Sequence, residues 1–219
     1  MTRPVPPVVW MAPPKGSVLV LAPHPDDETL ACGGAIALHA AQGDPVTVVI
    51  ATDGAAGDPE AHYSGSEYPA LRQAESRSAA QILGVTSLRF WGYPDGKLAE
   101  ATDLTDRLAE VIRDIQPALL YRPSTLEVHP DHWALAAAVD RALERYRGRV
   151  AAYAYEIWAT VRPTHLLDIT TVWEVKRKAA EQYQTQLRYN DYLHKISGLN
   201  AYRAIHLPSA RYVEAFQAG

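Results

Sequence analysis

The chain has 219 residues and 47% apolar side chains, enough to bury one core and too many for general disorder. Its 21 basic and 25 acidic residues leave a formal charge of −4 with no basic run, which excludes general phosphate-backbone binding. A single cysteine, Cys32, rules out an internal disulfide, and no stretch approaches the ~20 apolar residues of a membrane span.

Residues 1–16 are proline-rich and lack the apolar run of a signal peptide, so they read as an extended arm, and a cytoplasmic setting is expected by default. Residues 17–21 (SVLVL) are a buried strand, and 29–42 a helix of small residues on which Cys32 is a buried apolar position. A second strand, 46–51 (VTVVIA), is rich in β-branched residues. A helix over 69–83 leads to a third strand, 87–91 (SLRFW). Over 104–115, Leu104, Leu108, Val111, Ile112 and Ile115 fall on one helical stripe. A strand at 118–121, a helix over 130–146 and a strand at 150–157 follow. The end reads as helical, with a long charged helix over 170–187 and another over 190–205. This alternation predicts an α/β fold: a three-layer αβα sandwich with a mainly parallel, Rossmann-like sheet and a helical C-terminal portion. One domain over residues 1–219 is expected, without tandem repeat or linker.

Two clusters carry chemistry. His24-Pro25-Asp26-Asp27-Glu28 sits where the first strand runs into a helix, at the carboxyl edge where open α/β sheets bind ligands. Three acids beside a histidine are unfavourable unless a cation offsets them. His24 and Asp27 are close enough in sequence to share one ion, which leaves Asp26 free beside it. His129-Pro130-Asp131-His132 opens the helix after the fourth strand, and parallel pairing brings it to the same edge. Two imidazoles and one carboxylate with an open position suit a catalytic zinc site, whereas a closed structural site is normally rich in cysteine. Taken alone, Asp-Asp-Glu also suits a helix N-terminus meeting its dipole. Two His-Pro-Asp tripeptides at two strand ends of one sheet favour the site.

The stretch APHPDDETLACGG followed by HPDH resembles the LmbE-like, or PIG-L, zinc-dependent de-N-acetylases, and the likeness extends over most of the chain. Weaker matches are Thr52-Asp53-Gly54, Arg72-Gln73-Ala74-Glu75, Tyr93-Pro94-Asp95-Gly96, Lys178 with Ala179 and Gln186, and the ending Tyr212-Val213-Glu214-Ala215-Phe216. The family's Ala-His-Pro opening is here Ala22-Pro23-His24-Pro25, with the metal positions kept. The resemblance implies zinc held by His24, Asp27 and His132, although a mixed histidine and carboxylate set also accepts Fe2+ or another divalent ion. It makes Asp26 the general base and a protonated His129 the electrophile or acid. Asp131 would orient and charge-stabilise His129, and Asp53 would support the site from the next strand end. Glu28 is expected to stabilise the helix N-terminus.

Arg72 and Asp95 match positions that hold sugar hydroxyls, and equally suit a surface helix charge and a Pro-Asp-Gly turn. Trp91, Tyr93, Tyr155 and Trp158 are either a sugar-stacking wall or core. The remaining histidines are expected to be structural or surface residues. The implied reaction removes acetyl from a GlcNAc-like amino sugar or its conjugate, by Asp-assisted attack of a zinc-bound water. Two alternatives stand beside it. One is an amidase acting at the same site on a sugar-linked thiol or antibiotic. The other is a nucleotide-binding module, against which the missing G-x-G-x-x-G turn counts. Loops 54–68 and 122–128 are expected to set specificity. The implied partners are a small N-acetylated sugar and copies of the chain in a trimer or hexamer, with neither nucleic acid nor membrane.

Overall fold

The computed structural model describes residues 5–219; residues 1–4 of the predicted arm lie outside that range. Among the described residues, eight strands form one sheet in the order β1-β7-β8-β6-β5-β2-β3-β4. They are β1 (Val8–Trp10), β2 (Val18–Ala22), β3 (Val46–Thr52), β4 (Ser87–Tyr93), β5 (Leu119–Pro123), β6 (Ala151–Tyr155), β7 (His165–Asp168) and β8 (Val213–Ala218). The helices are α1 (Asp27–Ala41), α2 (Tyr68–Leu83), α3 (Leu104–Ile115), α4 (Pro130–Arg145), α5 (Trp173–Ala180), α6 (Gln184–Leu187) and α7 (Tyr192–Arg203). The block from β6 to β4 is parallel throughout, and β8 runs antiparallel between β6 and β7.

The three layers follow from the strands. Every residue of β2 is buried, as a strand covered on both faces requires. Val18, Val20 and Ala22 pack into a core with residues of α1, α2, α5 and α7. The intervening Leu19 and Leu21 join the opposite core, where α3 and α4 supply Leu104, Leu108, Ile112, Leu135 and Val139. Of the α3 stripe, Leu104, Leu108, Val111 and Ile112 are buried as the spacing predicts, and Ile115 in the last turn is partly exposed. Parallel β2 and β5 therefore end at one edge, where α1 and α4 begin.

The C-terminal third departs from the expected pair of helices. It supplies β7 and β8, and the predicted helix over 170–187 is broken into a short turn at Thr170–Val172, then α5 and α6. The break delivers Tyr183 into the core, 1% exposed, with its hydroxyl on Glu28. Lys178 is exposed, while Lys176 is wholly buried, 2.7 Å from Glu214 and 3.0 Å from Asn200 Oδ1. Both carboxylate oxygens of Glu214 also accept from α1, at 2.8 Å from Gly34 N and from Ala35 N. There α1 is interrupted: Cys32 has φ −133 and ψ 26, and the helix restarts under the Glu214 cap. Gly34 suits this junction because a Cβ there would lie 2.5 Å from Ile169 Cγ2. Cys32 is buried and unpaired, as expected. The N-terminal arm is tied down, since β1 pairs in parallel with β7. No described helix is long and apolar enough to cross a membrane.

Candidate active site

The first His-Pro-Asp turn leaves the end of β2 and enters α1 through Asp26, whose φ of 127 and ψ of −33 are strained for a residue with a side chain. Such a conformation costs about 1–3 kcal/mol and persists only where surroundings fix it. Here Thr29 N and Leu30 N donate to Asp26 O at 3.0 and 2.9 Å, and Asp26 N donates to Glu28 Oε2 at 3.3 Å. Arg72 completes the clamp. Its guanidinium donates to Pro25 O, to Gly54 O at 3.0 Å and to Asp26 Oδ2 at 3.1 Å.

Three side chains converge beside this turn. His24 Nδ1 is 3.1 Å from Asp27 Oδ2 and 3.2 Å from His132 Nε2, and His132 Nε2 is 3.1 Å from the same Asp27 oxygen. Metal–ligand bonds of ~2.0–2.1 Å at tetrahedral angles place donor atoms about 3.3 Å apart. The triangle has those dimensions. Ligand atoms of His24, His129 and His132 lie within 4.8 Å of one another, as do those of His24, Asp95 and Asp131. The tighter triangle is the better-formed cradle.

Electrostatics separates the carboxylates. Burial resists ionisation of Asp27, but His132 and His24 on its Oδ2 hold the carboxyl below the usual range. Burial pushes Asp26 up to about 8 against the attraction of Arg72, with Asp27 adding to the rise. Burial opposes charge on His24, yet Asp131, Asp27 and Asp95 around the ring raise its pKa well above the ordinary value. His132, also raised against burial by Asp27, lies at about 9. A cation entering the triangle therefore displaces protons.

The second motif corrects two expectations. The Asp131 carboxylate does not touch His129: it stands 3.1 Å from His24 Nε2 and accepts from Gly96 N at 2.7 Å and Leu98 N at 3.0 Å. The α4 N-terminus turns this side chain inward, toward the first motif. Asp131 N donates instead to His129 Nδ1, at 3.3 Å. That bond needs an unprotonated Nδ1, and burial together with His24 and His132 lowers the His129 pKa, against the expected opposing pull of the Asp131 charge and that of Asp27. The surroundings thus favour a neutral Nε2–H imidazole over a protonated one.

His24, Asp26, Arg72, Asp95, His129 and Trp158 are among the residues lining a cleft of about 550 Å³ over the triangle. Asp95 reaches His24 Nε2 at 3.0 Å with one oxygen and accepts from Ala56 N at 3.0 Å with the other. Asp53 accepts from Asp95 N at 3.1 Å, which places it behind the site as expected. Of the four expected wall aromatics, Trp158 alone lines the cleft; Tyr192 from α7 joins it. Tyr155 is fully buried and donates to Leu21 O at 2.8 Å, while Trp91 lies 4.7 Å under the Arg107 guanidinium. A second, more apolar groove of about 760 Å³ adjoins, sharing Leu30, Ile157, Trp158 and Tyr192. The other histidines lie elsewhere, His39 being buried between Asp44 and Tyr121.

Sequence reasoning missed Glu127. Its buried carboxylate stands 3.4 Å from His132 Nδ1, in a loop read only as a specificity determinant. The acid two residues before His-Pro-Asp-His was the available signal. Glu28 also does more than meet a helix dipole, since it links the Tyr183 hydroxyl to Asp26 N.

Residues 19–143 match the family model described as PIG-L: GlcNAc-PI de-N-acetylase. A probable N-acetyl-alpha-D-glucosaminyl L-malate deacetylase 2 of Bacillus subtilis is 34% identical, over 78% of this chain and 84% of that protein. A 4-oxalmesaconate hydratase of Pseudomonas putida is 31% identical over 95% of this chain and 91% of its own length. Among solved structures, the N,N'-diacetylchitobiose deacetylase of Pyrococcus horikoshii superposes with a TM-score of 0.80 at 26% identity, covering 94% of this chain and 84% of that one. The matched segment spans both His-Pro-Asp motifs and the triangle they build, and the chain belongs to the PIG-L family.

Proposed function

We propose that this chain, working as one domain, is a metal-dependent hydrolase that removes the N-acetyl group from a GlcNAc-like amino sugar or its conjugate. The observation that carries this reading is the His24–Asp27–His132 triangle with the Asp26 carboxylate held beside it at the floor of the cleft. His24 Nδ1, Asp27 Oδ2 and His132 Nε2 would hold the ion. Zinc suits this donor set, and Fe2+ fits it as well. A divalent ion held there supplies Lewis acidity, polarising a carbonyl and acidifying water.

The chain's own residues do the rest. Asp26 is fixed by its strained turn and by Arg72, so its carboxylate takes the water proton and later returns it to the departing amine. His129, anchored through Nδ1, presents Nε2–H to the carbonyl oxygen as negative charge grows on it. Asp131 and Asp95 both face His24 Nε2; a hydrogen kept there leaves Nδ1 for the metal. We assign Arg72 to holding Asp26 rather than to the sugar. Trp158, about half exposed at the rim, offers a flat apolar face to a pyranose ring. Five relatives with sugar deacetylase names match 73% or more of the chain, which supports the substrate class.

A second reading is favoured by one observation: the hydratase relative matches 95% of the chain. Water addition to a carboxylate substrate calls for free cations in the cleft. Among the described residues, Arg72 is the one Lys or Arg side chain lining it, and its fork is already engaged. The deciding experiment measures metal content of the purified protein, amine release from N-acetylglucosamine derivatives, and hydration of 4-oxalmesaconate in parallel. Amine release alone supports the deacetylase. Hydration alone replaces it, and failure to bind a divalent ion at micromolar concentration sinks both.

A further inference from the structure

Glu127 has no assigned part in that chemistry, yet its side chain is 0% exposed. A buried carboxylate must find donors. Its Oε1 accepts from Ile157 N and Ala159 N, and its Oε2 from Trp158 N, all at 3.3 Å. Oε2 also stands 3.4 Å from His132 Nδ1, a buried nitrogen with no other hydrogen-bond partner among the described residues. All four contacts are long, as expected when one carboxylate is shared among four donors. The three amides are consecutive, and Ile157 and Trp158, together with Leu30 and Tyr192, belong to the partition shared by the cleft and the adjoining groove. Glu156, before this segment, is latched to Arg203 and accepts from Val161 N at 2.8 Å. The partition is thus fixed at its base, and its middle hangs on Glu127.

We propose that Glu127 is a positioning residue that ties His132 to segment 157–159, so that metal uptake and ordering of the sugar-facing wall are one coupled event. With its hydrogen on Nδ1, directed at Glu127, His132 offers Nε2 to the ion. Capture of the ring by the ion fixes Nδ1, and with it the carboxylate on which the three amides hang. The wall that receives the sugar therefore forms fully when the ion is in place. This inference rests on the metal-site reading given above.

The test titrates the full-length, metal-free protein with Co2+ and follows amide hydrogen exchange in 157–159 with and without the ion. In the parent, protection of these amides rises on metal binding. Glu127→Gln is expected to weaken metal affinity about 10–100-fold, shift the Co2+ visible spectrum and abolish the metal-dependent protection, at unchanged circular dichroism. Glu127→Asp keeps the charge but draws it back from the amides. It is expected to recover part of the affinity without the protection, and it carries the comparison should the Gln variant unfold. Parental affinity in Glu127→Gln, or lost affinity with metal-dependent protection retained, overturns the coupling. A parent that takes up no metal overturns the metal-site reading itself, before any variant is made.

Discussion

Two buried charge clusters touch α1, and they are built differently. At its restart, Glu214 is matched by the Lys176 ammonium and by two amide donors, so charge and hydrogen bonds close within the protein. At its start, His24, Asp27 and His132 bring two ring nitrogens and a carboxylate oxygen to within 3.2 Å, in company with Asp26, Asp95 and Asp131. Arg72 and protons on the imidazoles offset part of that charge. A closed cluster is a clasp; a cluster balanced by exchangeable protons could take a cation in their place. Burial alone does not separate the two, because Asp131 and Lys176 are both wholly enclosed.

Substitutions sharpen the contrast. The largest effect is expected from Asp27→Ala, which should abolish metal binding and turnover while the fold survives; metal analysis beside thermal unfolding checks this. If the variant binds metal as the parent does, the triangle is not the ion's seat. Next, Asp26→Asn should lower kcat by about 10²–10⁴ at unchanged metal affinity, read by steady-state kinetics and metal titration together. On the clasp side the loss should be of stability. Lys176→Met leaves Glu214 without its cation, and breaking a buried pair from one side costs about 3–5 kcal/mol. Denaturant unfolding measures it, and the protein that remains folded should keep its metal affinity.

The smallest effect concerns pH. Burial lowers the His39 pKa despite Asp44, so below about pH 6.5 the unfolded chain takes up a proton that the folded chain resists. Stability from this group therefore falls as pH drops. Unfolding curves of His39→Gln should show a shallower acid loss between pH 7 and 5.5 than the parent, and an equal slope would refute the assignment.

The cluster at the start of α1 was legible in the sequence because its parts are local. Two His-Pro-Asp tripeptides follow two short apolar runs, and parallel pairing of β2 with β5 brings the strand ends together. The clasp was not. A lysine in the charged stretch around 176 reads as solvated until Glu214, 38 residues on, removes the need for water. Glu127 takes its meaning from amides 30 to 32 residues downstream, and no periodicity encodes that. Asp131 was expected to contact His129; its carboxylate meets His24 instead, although its charge still acts to raise the His129 pKa. Chain adjacency pointed to His129, whereas the helix geometry aims the carboxylate at His24. Strand β7 escaped because it has only four residues, and β8 because its residues were read as a family-like ending rather than as a strand.

Glu214 also imposes an order in time. The turn carrying His24, Asp26 and Asp27 leaves the ribosome about 190 residues ahead of the carboxylate that seats the helix behind it, at ~5–20 residues per second. For that interval of ten seconds or more, a nascent chain displays the candidate metal-ligating side chains without the scaffold that aligns them. Alignment of that turn therefore waits on residues made long after the turn itself.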